Sequence, residues 1–157
     1  MSLMDSDGSD GRVVSVEFST ITHATEDIEK VEEAVLNTIP PELRGSVLFT
    51  RRYLEGHYRN PIVILTAGIT EAKMAGAALR HIFTMLSRSE RRELSLYFEK
   101  ALDEDKNFYI RLDKQGAFRG IVRLTDRDPI RVKVKTGMWR PTVEGARKIL
   151  EDLGMRE

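Results

Sequence analysis

Three short segments in the last third of the chain alternate apolar and polar residues. The segments 108–114, 120–125 and 130–135 read FYIRLDK, GIVRLT and IRVKVK, and the third places a cation after each aliphatic residue. A period of two is the pattern of a β-strand with one face buried and the other face in solvent. We therefore predict three strands here, in a sheet that is covered on one face and open on the other.

The cations of these segments belong to a wider basic region. Residues 107–140 contain nine Lys or Arg and three acids, although the whole chain balances 25 basic against 25 acidic residues. Because neighbouring strands lie about 4.8 Å apart, cations on the outer side of adjacent strands collect on one surface. Such a surface suits the phosphates of a nucleic acid, since each Lys or Arg contact releases condensed counterions. The alternative is a solvated face whose cations serve solubility and protect the sheet edge.

A second basic region lies earlier in the chain, around Arg51 and Arg52. Adjacent residues of a strand point to opposite faces, so only one of this pair can join a common surface. The candidate nucleic-acid contacts are Arg111, Lys114, Arg119, Arg123, Arg131, Lys133, Lys135, Arg51 and Arg52.

The remaining elements define the fold class. Further strands are predicted at 12–21, 45–53 and 61–66. Helices are predicted after the capping residues Thr25, Thr70 and Thr142, and the serines of 87–89 divide the second helical region in two. The order is β-α-β-β-α-α-β-β-β-α, which predicts an α+β fold with a mostly antiparallel sheet and helices packed on one face.

Length and composition limit what kind of protein this is. A chain of 157 residues suits one domain, which we place at 12–157, after an acidic, Gly/Ser-rich segment 1–11 that we predict to be a disordered tail left partly from cloning. No apolar run reaches the roughly 20 residues that span a bilayer. The chain has no cysteine, which excludes disulfides and thiolate chemistry and fits a reducing compartment. We expect a cytoplasmic protein without a membrane partner.

The residue patterns of common enzymes are missing from the sequence. His23, His57 and His81 are scattered, and there is no phosphate-binding Gly-rich loop, GxSxG or HExxH motif. We expect no catalytic residues, no metal site and no cofactor. Trp139, beside Arg140 and Pro141, is interpreted as a lid on the core.

Four segments carry a family resemblance. Residues 15–34 (SVEFSTITHATEDIEKVEEA), 55–65 (EGHYRNPIVIL), 107–117 (NFYIRLDKQGA) and 128–135 (DPIRVKVK) resemble an archaeal family of predicted RNA-binding proteins. Its members are described as predicted exosome subunits, with a fold compared to double-stranded-RNA-binding domains and to the 5S rRNA-binding protein of the large ribosomal subunit. The resemblance implies a ribosomal-protein-like sandwich that binds RNA.

The match to this family extends to single positions. The segment 112–115 (LDKQ) and the cations Arg131, Lys133 and Lys135 fall on its characteristic positions. Arg59 departs from it, because the family has a glycine in the turn before Asn60. If that glycine supplies a positive φ, Arg59 is strained, or else the turn differs.

Two functions follow as hypotheses. The first is an RNA-binding module that contacts structured or duplex RNA through a basic sheet face, as an accessory of an archaeal RNA-processing or degradation complex such as the exosome. Aromatic residues make up 7% of the chain, which argues against a stacking platform for single strands. The second is a protein-interaction or homodimerisation subunit, in which an acidic helix bearing Glu29, Glu32 and Glu33 meets the basic sheet.

Overall fold

The computed structural model describes residues 12–156, apart from the side chain of His57. The strands are β1 (Val13–Thr22), β2 (Leu48–Glu55), β3 (Pro61–Ile69), β4 (Phe108–Asp113) and β5 (Pro129–Thr136). The helices are α1 (Ile28–Leu36), α2 (Ala72–Met85), α3 (Arg88–Leu96), the short α4 (Lys114–Phe118) and α5 (Val143–Leu150). Single helical turns lie at Pro41–Ser46, His57–Arg59, Glu99–Ala101 and Glu151–Met155. The predicted tail lies outside the described residues, and the single domain at 12–157 stays a prediction.

The strands form one sheet in the order β2-β3-β1-β5-β4, and every neighbouring pair is antiparallel. With helices alongside this sheet, the predicted α+β class is confirmed. The last strand, β5, lies between β1 and β4, so the basic strands β4 and β5 are hydrogen-bonded neighbours.

One face of the sheet is buried under the helices, as the alternation predicted. Phe18 of β1 pairs with Val132 of β5, and Val132 pairs in turn with Ile110 of β4. All three are at most 1% exposed. Helix α2 packs against β1 and contributes Leu79 and Phe83 to the same core. The opposite face of the sheet carries the polar residues of each strand.

The predicted strand at 120–125 is wrong. The chain after β4 instead makes the short helix α4 and turns at Gly120, whose φ is +80°. Only backbone bonds from Asp113 N to Arg123 O (2.8 Å) and from Thr125 N to Arg111 O (3.1 Å) run along the edge of β4. The apolar alternation arises because a loop inserts alternate side chains into the core, and a loop can do this without forming a ladder.

The hairpin between β2 and β3 explains the departure at Arg59. Tyr58 and Arg59 have φ values of 54° and 62°, in the left-handed region that glycine adopts without strain. The turn closes through bonds from Gly56 N to Asn60 O (2.6 Å) and from Arg59 N to Gly56 O (3.2 Å). The positive φ implied by the family's glycine is therefore present, and a side chain here carries a strain of about 1 kcal/mol.

Two further observations concern the surface. The interpretation of Trp139 as a lid on the core is wrong, because its side chain is 83% exposed. Within the described part of the chain, no helix is both long enough and apolar enough to cross a membrane.

Candidate nucleic-acid interface

Four cations on the open side of the sheet form one surface. We call Arg111 of β4 together with Arg131, Lys133 and Lys135 of β5 the basic face. Arg131 is the direct cross-strand partner of Arg111, and on its other side it is paired with Ser19 of β1. The basic face exists because β5 places its aliphatic residues inward, so that every intervening side chain must face solvent.

None of these four cations is neutralised within the protein. Among residues 12–156, no carboxylate forms an ion pair with Arg111, Arg131, Lys133 or Lys135. Like charges directly opposite each other across a strand pair are destabilising, so the pair of arginines lowers the stability of the sheet slightly. A surface with unpaired cations and an uncompensated repulsion is suited to an anionic ligand.

Tyr109 connects the basic face to the interior. The guanidinium of Arg131 lies 5.2 Å from the centre of the Tyr109 ring, and the Tyr109 hydroxyl donates to Asp103 Oδ2 at 2.9 Å. Burial and this hydrogen bond raise the pKa of Tyr109, which stays protonated as a donor. The ring therefore fixes the direction of Arg131, and it is half-buried rather than free for stacking.

Asp103 is the anchor of this arrangement. Burial by itself would raise its pKa, but hydrogen bonds from Asn107, Tyr109 and the Asp105 backbone outweigh it and lower the pKa to about 2. The side chain and backbone nitrogens of Asn107 donate at 3.0 and 2.9 Å. Asp103 is thus a fully engaged carboxylate at neutral pH.

Lys114 was predicted to contact nucleic acid, and the structure contradicts this. Its side chain is only 3% exposed, and its ammonium donates to Ile21 O (2.7 Å), Glu26 Oε1 (3.0 Å) and Asp128 Oδ2 (3.0 Å). The period-two pattern misplaced it because the strand ends at Asp113 and the helix α4 turns Lys114 inward. Lys114 ties the loop after β1 to the start of β5, which is a structural role.

The same cluster brings His23 beside two carboxylates, which sequence spacing did not reveal. His23, Glu26 and Asp128 have ligand atoms within 4.8 Å of one another, the arrangement of a possible cation site. The Lys114 ammonium, however, already contacts both carboxylates. Burial opposes ionisation of Asp128, but hydrogen bonds from His23 and Lys114 outweigh it and lower its pKa. The protein's own ammonium therefore neutralises this cluster.

The other predicted contacts are dispersed. Arg123 lies on the loop that was predicted as a strand and pairs with Asp113 at 2.7 Å, and Arg119 is exposed on the same loop. Arg51 points to the covered side of β2, where its bidentate bond to Glu32 (2.9 and 3.1 Å) raises its pKa. Arg52 shares the open side of the sheet, on the far strand β2, so only one of the adjacent arginines joins that side, as predicted.

A groove of about 730 Å³ adjoins the basic face and was not expected from the sequence. Helix α3 and the turn after it form one wall, β4 forms the floor, and the loop after α4 forms the other wall. Arg111 and Arg131 line both the groove and the basic face. Because its residues come from four separate segments, no single sequence pattern could have indicated it.

Comparison with protein families decides the broader identity of the chain. A family model described as RNA binding matches residues 15–136. The chain belongs to this RNA-binding family. The matched region runs from β1 to the end of β5 and so includes the whole basic face.

Other members of the RNA-binding family share both sequence and fold with this chain. RNA-binding protein PAB1135 of Pyrococcus abyssi is 36% identical over 123 residues, covering 77% of this chain and 80% of that protein. The uncharacterised protein MJ0213 of Methanocaldococcus jannaschii is 34% identical over 118 residues, covering 74% and 78%. The crystal structure of the DUF54 protein AF2318 from Archaeglobus fulgidus superposes with a TM-score of 0.78 at 29% identity, covering 90% of this chain and 99% of that one.

Proposed function

We propose that this chain binds structured RNA through the basic face, mainly by phosphate contacts. The observation that carries the proposal is the side-by-side placement of Arg111, Arg131, Lys133 and Lys135, without carboxylate partners among the described residues, on a sheet face that the helices leave open. Membership of an RNA-binding family supports RNA as the polyanion.

Hydroxyl groups extend the surface beyond the cations. In the register of the sheet, Thr50, Thr66 and Ser19 lie in one row that continues into Arg131 and Arg111. Five strands span about 19 Å at the usual spacing. Duplex RNA presents phosphates and 2′-hydroxyl groups across its shallow minor groove, and a row of hydroxyls and arginines can hydrogen-bond to both.

The wider role is also a proposal. The family resemblance of the sequence supports a non-catalytic accessory of RNA processing or degradation, beside exosome subunits in the cytoplasm. The implied likeness to double-stranded-RNA-binding domains and to the 5S rRNA-binding protein supports the same kind of ligand. The absence of catalytic motifs in the sequence is consistent with binding as the activity.

The test is titration of a fluorescent blunt-ended RNA hairpin with the protein at two salt concentrations. The double variant Lys133→Gln/Lys135→Gln is compared with Lys73→Gln/Lys148→Gln, which removes the same charge from exposed positions on α2 and α5. Salt dependence should fall by roughly one unit of log–log slope for each phosphate that the variant no longer binds, and only in the first variant.

Two results would overturn this proposal. Equal slopes for the two double variants would show that the basic face does not bind the RNA. Failure of the unmodified protein to bind the hairpin at low salt would exclude structured RNA as the ligand. In the second case, a dimer detected by light scattering that dissociates in the Lys133→Gln/Lys135→Gln variant would favour a protein-interaction role.

A further inference from the structure

We propose that the groove beside the basic face receives one unpaired guanosine of the bound RNA, with its phosphate on Arg111 and Arg131. This inference rests on the proposed function and adds a base-specific site to it. The groove is bounded by α3, the turn after it, β4 and the loop after α4, and its volume of about 730 Å³ lies within the usual range for small-molecule sites.

The two arginines at the mouth of the groove supply the phosphate site. Arg111 and Arg131 are cross-strand partners, both are exposed, and neither has a carboxylate partner among the described residues. The Tyr109 ring under Arg131 holds that guanidinium in place, and Asp103 holds Tyr109 through its hydroxyl. Two oriented guanidinium groups can bind the oxygens of one phosphate with paired hydrogen bonds.

The inner part of the groove has the opposite charge. Glu90, Glu93, Asp103 and Asp126 all line it. A phosphate would be repelled there, so the RNA backbone must remain at the arginines and only an uncharged base can enter. The charge reversal along the groove, from cationic mouth to anionic interior, therefore matches a nucleotide in one orientation.

The carboxylates also select among the bases. Glu90 and Asp103 are already engaged, since Glu90 accepts from Leu124 N at 2.8 Å and Asp103 accepts from Asn107 and Tyr109. Glu93 and Asp126 are exposed at the groove. An ionised carboxylate only accepts hydrogen bonds. Guanine offers it two adjacent donors, N1–H and the exocyclic amine, whereas uracil offers one.

An aromatic ring stands at the groove wall for stacking. Tyr97, at the end of α3, is 59% exposed and lines the groove. The Lys100 ammonium lies 5.8 Å from the centre of its ring and so occupies one of its faces. A base can stack on an aromatic face whatever its identity, so Tyr97 would contribute affinity and the carboxylates would contribute selectivity.

The test uses three RNA hairpins with the same stem: one without a bulge, one with a single bulged guanosine and one with a bulged inosine, which lacks the exocyclic amine. For the unmodified protein we expect the guanosine bulge to bind roughly five- to tenfold more tightly than the unbulged stem. Inosine should lose most of this gain. Tyr97→Ala should reduce the gain and leave binding of the unbulged stem unchanged.

A charge-matched pair of variants separates recognition from bulk electrostatics. Glu93→Gln/Asp126→Asn removes the two groove carboxylates, and Glu29→Gln/Glu33→Gln removes two exposed carboxylates from α1. If the acids act only through repulsion, both variants tighten binding of every hairpin. If they hold guanine, the first variant loses the preference for guanosine over inosine and the second keeps it.

The outcomes distinguish the two proposals. Equal binding of all three hairpins by the unmodified protein, still sensitive to Lys133→Gln/Lys135→Gln, would overturn the guanosine site and leave the basic face in place. A guanosine preference that survives Glu93→Gln/Asp126→Asn would also overturn it. If no hairpin binds, the proposed function fails and the guanosine site falls with it.

Discussion

Arg111 on β4 and Arg131 on β5 are directly opposite each other in the sheet, and both guanidinium groups lie on its solvent side. The arrangement couples stability to ligand binding. In the free protein the two charges repel each other, whereas a bound phosphate would make both contacts favourable.

Replacing one of these arginines should therefore stabilise the free protein while weakening its binding to RNA. For Arg111→Gln we expect a gain of a few tenths of a kcal/mol at low salt, shrinking as salt screens the repulsion. Thermal unfolding at two ionic strengths measures the effect. Arg52→Gln is the control, because Arg52 has the uncharged Ile64 as its cross-strand partner. An equal gain in both variants would argue against pairwise repulsion.

Replacing Lys114 should destabilise the fold, because its buried ammonium is bonded to Ile21 O, Glu26 and Asp128. For Lys114→Met we expect a loss of about 2–4 kcal/mol in the free energy of unfolding, since the carboxylates would remain partly buried without a cation. Urea denaturation measures it. Lys73→Met, at an exposed position on α2, should change stability by less than about 0.5 kcal/mol. A similar small change for Lys114→Met would mean that water replaces the ammonium at little cost.

The carboxylate of Asp103 should make stability depend on pH in the acid range. Its pKa is about 2 in the folded protein, below its ordinary value of 3.8. A lowered folded pKa contributes stability that is complete above pH 4 and is lost as the pH falls towards 2. Asp103→Asn should therefore be less stable than the unmodified protein at pH 7, and the difference should shrink between pH 4 and 2. Thermal unfolding across this range is the measurement.

The control for this prediction is Asp105→Asn, which changes an exposed carboxylate two residues away. It should leave the acid limb of the stability curve almost unchanged. If the difference between Asp103→Asn and the unmodified protein stays constant from pH 7 to pH 2, the hydrogen-bonded carboxylate is not the origin of the pH dependence.

Glu90 should stabilise both α3 and the loop that walls the groove. It forms a capping box with Ser87, and its other oxygen accepts from Leu124 N at 2.8 Å. Glu90→Ala should cost about 1–2 kcal/mol and speed exchange of the Leu124 amide hydrogen. Glu93→Ala, one turn along α3, should do neither. Unchanged exchange at Leu124 in Glu90→Ala would show that the loop is held by its apolar contacts alone.

Much of the sheet could be predicted from local pattern, and the errors occurred where local pattern is ambiguous. Ile130, Val132 and Val134 are all buried as the alternation required. The segment 120–125 has the same alternation, but the positive φ at Gly120 and the preceding helical turn keep it out of the ladder. A side chain can be buried from a loop as well as from a strand, so alternation alone does not distinguish the two.

The candidate site was only partly predictable for a related reason. The outward direction of Arg111, Arg131, Lys133 and Lys135 follows from the residues beside them. The buried position of Lys114 depends on the point at which β4 ends, because a strand and a helix direct that side chain to opposite sides. The partners of Lys114 come from positions 88 and 93 residues away along the chain.

The amino-acid sequence by itself determined which side of each basic strand is cationic, because side-chain alternation is a property of a strand alone. Only the tertiary structure decided that β5 lies between β1 and β4, which makes Arg111 and Arg131 neighbours. It also decided that four distant segments enclose a groove beside them. Strand order and cavity shape depend on how the apolar faces of all the elements are buried together, and no single segment carries that information.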